Sequence, residues 1–148
     1  MQIDSYRKLY KRELEKLKTE IELYKDEGNM WILDKEISNS AGNLCLHLIG
    51  NLNHFIGHVL GRTDYVRDRD LEFVLEDIPR EHLLISIAEV IELVESILNM
   101  LNDKELQKEY PISKFETNVS TEFLLVHVLT HLNYHIGQIN YHRRLLDN

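Results

Sequence analysis

Helical periodicity, repeated four times along the chain, is the strongest constraint on the fold. Between about Asp4 and about Asp26, Tyr6, Tyr10, Leu14, Leu17, Ile21 and Tyr24 recur at spacings of three and four, the signature of an amphipathic helix. Asp4 or Ser5 suits its cap, and Gly28 lies just past its end. A second stretch, from about Ser40 to about Leu60, puts Leu44, Leu48, Leu52, Phe55 and Val59 on one side, and Gly61 closes it. The third follows Pro79, a residue suited to a first helical turn, and carries Leu83, Ile87, Val90, Ile91, Val94, Ile97, Leu98 and Leu101. The fourth starts near Ser120 or Thr121 and runs to Leu146. Glu122 complements the helix dipole at its start, and Arg143 and Arg144 do so at its end. The expected fold class is all-α, a four-helix bundle in one domain spanning residues 1–148.

The connections between these helices are long. Segments 27–39, 62–78 and 103–119 all exceed the roughly two to eight residues usual in a bundle. Long connections let a chain cross a bundle end and join helices that are not immediate neighbours. Trp31, Ile32 and Leu33 in the first are expected to fold back onto the core. Gly50 and Gly57 lie inside the second helix, where glycine costs stability. Close approach of another helix, within the bundle or across a dimer, would account for them.

Composition excludes several functions. The chain has 148 residues, with 25 Asp or Glu against 17 Lys or Arg, a net charge of −8 with His neutral. That balance argues against a nucleic-acid backbone or an anionic membrane surface as the main partner. One cysteine excludes an internal disulfide framework and a cysteine-rich zinc module. The apolar stretch around Leu83 to Leu101 is broken by Glu89, Glu92 and Glu95, so it does not read as a membrane span. Residues 1–20 carry no apolar targeting segment. A soluble cytoplasmic protein is the expectation.

Eight histidines require explanation. His127, His131 and His135 follow one another at spacings of four on the fourth helix. On the second, His47, Asn51, His54 and His58 fall within roughly one 60° stripe at about 100° per residue. Two His at i and i+4 present nitrogens close enough to chelate one divalent metal, and a third ligand must come from another helix. Three neutral imidazoles leave coordination positions open, the pattern of a catalytic site. The competing reading is that these are polar side chains hydrogen-bonded at helix seams. Spacing does not choose among the pairs 127/131 and 131/135, nor among His47, His54 and His58.

The segment Asn43-Leu-Cys-Leu-His47-Leu-Ile-Gly-Asn-Leu52, together with His131-Leu-Asn-Tyr-His135-Ile-Gly-Gln138, resembles the DinB/YfiT-like superfamily of metal-dependent enzymes. The stretch Gly61 to Asp70 with Glu72 and Phe73 resembles a small, single-domain, uncharacterised branch of it. The resemblance implies a bundle with crossover connections and a metal triad on His47, His131 and His135. It makes His127, His54 and His58 surrounding residues, with His127 or His54 as candidate catalytic base. Asn51, Asn133 or Gln138 would orient the ligands, and Gln138 alternatively bonds to another helix. Zn or Ni is the expected divalent metal. Related families include thiol-dependent S-transferases, which implies a small-molecule substrate and a low-molecular-weight thiol as partners, and a homodimer is compatible.

The remaining side chains read as follows. Cys45 points about 200° from His47 around the helix and reads as a packing residue. The loop Tyr65, Arg67, Asp68, Arg69, Asp70 reads first as a salt-bridged crossover. Its functional alternative is a rim holding an anionic substrate through Arg67 or Arg69. His82 and His142 read as surface or seam residues. The expected function is a metal-dependent transferase, thiol to electrophile, or a hydrolase. The alternatives are a non-catalytic metal-binding or stress-associated bundle, and a bundle whose histidines are structural.

Overall fold

A computed structural model describes residues 1–148. The chain is all-α, with no named strand and only an isolated bridge between Glu109 and Ser120. Helix α1 spans Gln2–Leu23, α2 spans Ala41–Leu52, α3 spans Leu71–Val74, α4 spans Arg80–Met100, α5 spans Asp103–Leu106 and α6 spans Thr121–Leu146. A 3-10 turn, Glu27–Trp31, lies between α1 and α2. Past Leu52, α2 continues as a π-helical segment, Asn53–Leu60.

The helix starts have identifiable causes. Ser40 accepts from the Asn43 N–H at the start of α2, and Ser120 from the Phe123 N–H at the start of α6, so both act as N-caps. Neither Asp4 nor Ser5 caps α1, which begins earlier, at Gln2. Its first N–H groups, on Gln2 and Ile3, donate instead to the carboxylate of Asp103, at 3.3 and 2.9 Å. An acid placed there also complements the positive end of the helix dipole.

Four long helices enclose one core of 28 buried apolar residues. Tyr10, Leu14, Leu17 and Ile21 of α1 and Leu44, Leu48 and Leu52 of α2 belong to it. Ile87, Val90 and Val94 of α4 and Leu125, Val128 and Leu132 of α6 complete the cluster. Helix α1 packs against α4 and α6, and α2 packs against the same two, so α1 and α2 occupy opposite corners. The first and third connections therefore cross between diagonal helices, as their length suggests. The middle one joins neighbours, and its length has another use: it lays α3 against α2.

Three local readings change. Trp31 packs on the core and Met30 is fully buried, but Leu33 is 59% exposed and does not fold back. A Cβ on Gly57 would lie 2.9 Å from Leu93 of α4, so a bundle helix does approach there. Gly50 instead faces a side chain delivered by the middle connection. The π winding also breaks the expected histidine stripe. His47 and Asn51 are buried, His54 is half-buried and His58 is exposed. The wider π turn, with its longer i to i+5 bonds, rotates residues beyond Leu52 away from the face that a continuous α-helix would maintain.

Candidate metal centre

The adjacent helices α2 and α6 bring His47, His131 and His135 together. One nitrogen from each lies within 4.8 Å of the others. His47 Nε2 and His131 Nε2 are 3.0 Å apart. The three rings meet edge to face, with centroids 4.5 to 5.3 Å apart. Ligand nitrogens about 2.0–2.1 Å from a tetrahedral ion stand roughly 3.3 Å from one another, so small rotations of these rings suffice to hold one ion. His131 and His135 are one helical turn apart, which is what places both on the α2-facing edge of α6.

The outer nitrogens reinforce this orientation. His47 Nδ1 lies 3.0 Å from Glu72 Oε1, and His135 Nδ1 lies 2.7 Å from Gln138 Oε1. Both partners are oxygen acceptors, so each Nδ1 carries the proton and each Nε2 presents its lone pair inward. A carboxylate or amide behind a ligand histidine is the usual outer shell of a metal site. Arg67 in turn holds Glu72 with two parallel bonds, Nε at 2.9 Å and Nη2 at 2.8 Å, in a bidentate ion pair with little solvent exposure. Gly50 makes room for this arrangement. A Cβ there would lie 1.8 Å from Glu72 Oε2, so the carboxylate reaches His47 only because α2 has no side chain at that position.

His131 differs from the other two. Its Nδ1 is buried and has no hydrogen-bond partner in the protein. Its Nε2 faces the lone pair of His47 Nε2, so a proton or a cation is needed between them. Burial, followed by the charges of His135 and His47, pushes the His131 pKa down to about 3. Burial also lowers the pKa of His47, against the opposing pull of Glu72, and that of His135. All three are thus neutral imidazoles near pH 7, the protonation state a metal requires. A cavity of about 500 Å³ runs beside the triad, lined by His135, Gln138, Tyr134, Tyr141, Leu44 and Ile37 among others.

Other residues singled out from the sequence fall differently. Gln138 serves His135 and does not reach across to another helix. Asn133 reaches Glu13 on α1 at 2.8 Å and takes no part in the triad. Asn51 is buried, but its Oδ1 finds no partner. His127 lies one turn before His131 and meets Phe115 edge to face at 5.0 Å. His54 stacks on His58 at 5.9 Å, and neither joins the ligand cluster. His142 is a seam residue, and His82 is exposed. Cys45 is fully buried, and burial pushes its thiol up to about 12, consistent with packing alone.

Arg67 is not free to act as a rim donor, because Glu72 engages it. Glu72, which backs His47, belongs to none of the helical stripes read from the sequence. The one available signal was an acid inside the apolar run Leu71-Glu-Phe-Val74, a weak cue for a buried carboxylate.

An all-α bundle with three convergent histidines, two of them backed by acceptors, defines the class of this site: a candidate three-histidine metal centre. The chain belongs to the family described as Protein of unknown function (DUF1572), which matches residues 2–148. Among curated proteins, none matches it. No helix is long and apolar enough to cross a membrane.

Proposed function

We propose that the protein is a metal-dependent enzyme whose His47, His131 and His135 hold one divalent transition metal, Zn or Ni being the expected ones among the metals that imidazole suits. The observation that carries this reading is the convergence of one nitrogen from each of three imidazoles, two of which have Nδ1 bonded to Glu72 and Gln138. A divalent metal in such a site lowers the pKa of a thiol or water and so supplies a nucleophile near neutral pH. With three protein ligands, positions remain for a substrate. The reaction class is thiol transfer to an electrophile, with hydrolysis as the variant, in keeping with the resemblance of the two histidine motifs.

The chain's own part is to orient and to move a proton. Glu72 and Arg67 fix the His47 ring, and Gln138 fixes His135. His127 and His54 are the candidate proton acceptors. Burial, then Lys114 for His127 and Arg67 for His54, lowers their pKa, so both are neutral and able to accept a proton at pH 7.

The test is the metal content of untagged protein, purified under metal-replete conditions, beside His131→Ala. One metal per chain, absent from the variant, is expected, followed by turnover in a screen of small thiols with electrophilic acceptors. Protein that holds no metal would overturn the proposal. Metal without turnover would reduce it to a binding module.

A further inference from the structure

Beside the triad the side chains are cationic, against the composition of the whole chain. Phe73 lies 4.8 Å from the His47 ring and carries the Arg69 guanidinium on its face at 5.2 Å. Phe55 carries the Lys114 ammonium at 4.3 Å and the Arg67 guanidinium at 6.0 Å. Lys114 also lies 5.9 Å from Phe115, which packs on His127. Two unrelated connections, 61–79 and 101–120, thus bring three cations to one flank of the site. Lys114 takes part in no salt bridge, and neither does Arg69. The carboxylate at the triad, Glu72, has both oxygens engaged by Arg67, and Oε1 also meets His47.

The charges are close enough to act on one another. Burial, then Arg67 and Arg69, lowers the Lys114 pKa, with no carboxylate opposing them. Two cations without a salt bridge thus stand on this flank, in a chain of net charge −8. A divalent metal on three neutral imidazoles would add two more positive charges, because no ligand neutralises it. Such a cluster concentrates anions from solution. Both free cations already rest on aromatic faces, which restricts their rotamers before a ligand arrives and lowers the entropic cost of binding one.

We propose that Lys114 and Arg69 form an anion-binding rim, and that the substrate is a small molecule whose carboxylate or phosphate group they hold while its reacting atom lies at the three histidines. The position of the reacting atom rests on the metal reading above; the rim itself does not. Arg67 stands behind the rim and holds Glu72.

The experiment is calorimetric titration of inorganic phosphate and of succinate, at fixed ionic strength, into metal-free and Zn-loaded protein. Variants are Lys114→Gln, Arg69→Gln, their double, Lys114→Arg, His131→Ala, and Lys18→Gln as an exposed control on α1. The expected result is a loss of about tenfold or more in the double variant, retention in Lys114→Arg and Lys18→Gln, and unchanged melting temperatures in the Lys114, Arg69 and Lys18 variants. The tighter of the two anions identifies the head group. Unchanged affinity in the double variant, or binding of neither anion by the parent, would overturn the proposal. Anion binding that survives His131→Ala but falls in the double variant supports the rim even where the metal reading fails.

Discussion

His142 and His131 lie on the same helix, three turns apart, and their surroundings are opposite. His142 has both nitrogens satisfied: Tyr24 Oη lies 2.8 Å from Nδ1, and the Ile32 carbonyl lies 2.8 Å from Nε2. The carbonyl can only accept, so Nε2–H donates to it and Nδ1 accepts from the tyrosine. This is a seam histidine, tying α1 and the first connection to α6. His131 has one nitrogen with no partner and the other facing a second imidazole lone pair. A buried polar group without a partner costs stability. The contrast separates a histidine whose two hydrogen bonds complete the fold from one with a buried, unpartnered nitrogen.

The two histidines should differ most clearly when each is removed. His131→Ala should abolish metal binding, yet should cost the metal-free protein less than His142→Ala does, because it loses one hydrogen bond, Nε2 to His47, and not two. His142→Ala should do the reverse. It strands the Tyr24 hydroxyl and the Ile32 carbonyl and opens a cavity, at a cost of about 2–4 kcal/mol, with metal affinity preserved. Denaturant unfolding and metal titration of both variants would check this. Equal effects of the two substitutions on metal binding would erase the distinction.

A smaller effect is expected behind His47. Gly50→Ala should raise intrinsic helix propensity by up to about 1 kcal/mol, but its methyl would displace the Glu72 carboxylate. Metal affinity should fall about 10–100-fold, as for loss of an outer-shell partner, and Glu72→Gln should fall within the same range. Metal titration with a competing chelator reads this. Unchanged affinity in Gly50→Ala would show that Glu72 does not position the ligand.

The pH dependence of stability is a separate test. In metal-free protein the native state keeps His131 neutral down to about pH 3, whereas the unfolded chain takes up a proton near the ordinary histidine value of about 6.5. The unfolded state therefore binds more protons as pH falls, so stability is full above about 6.5 and declines from there toward 3. His131→Ala should flatten that decline. A melting temperature series against pH, with chelator present, would show it, and identical slopes in the two proteins would contradict it.

The parts legible in the sequence are those a single rigid helix dictates. The four apolar stripes and the i, i+4 pair His131/His135 follow from 3.6-residue periodicity, which holds wherever the helix is placed. The choice of His47 came from resemblance, because periodicity equally favoured His54 and His58. His54 and His58 lie roughly two and three turns further along the helix than His47, so the level at which α6 meets α2 selects His47, and no composition or spacing announces that level. Glu72 and Lys114 were not legible for a different reason. They reach the site through the paths of long connections, and a loop path is set by packing. The close fit of Glu72 over Gly50 shows this, since the glycine was noticed and its partner was not.

The most direct test is calorimetric titration of Zn into the parent, His131→Ala and His142→Ala proteins at pH 7. One Zn per chain is expected in the parent and in His142→Ala, and none in His131→Ala. Undiminished binding by His131→Ala, or no binding by the parent, would contradict it.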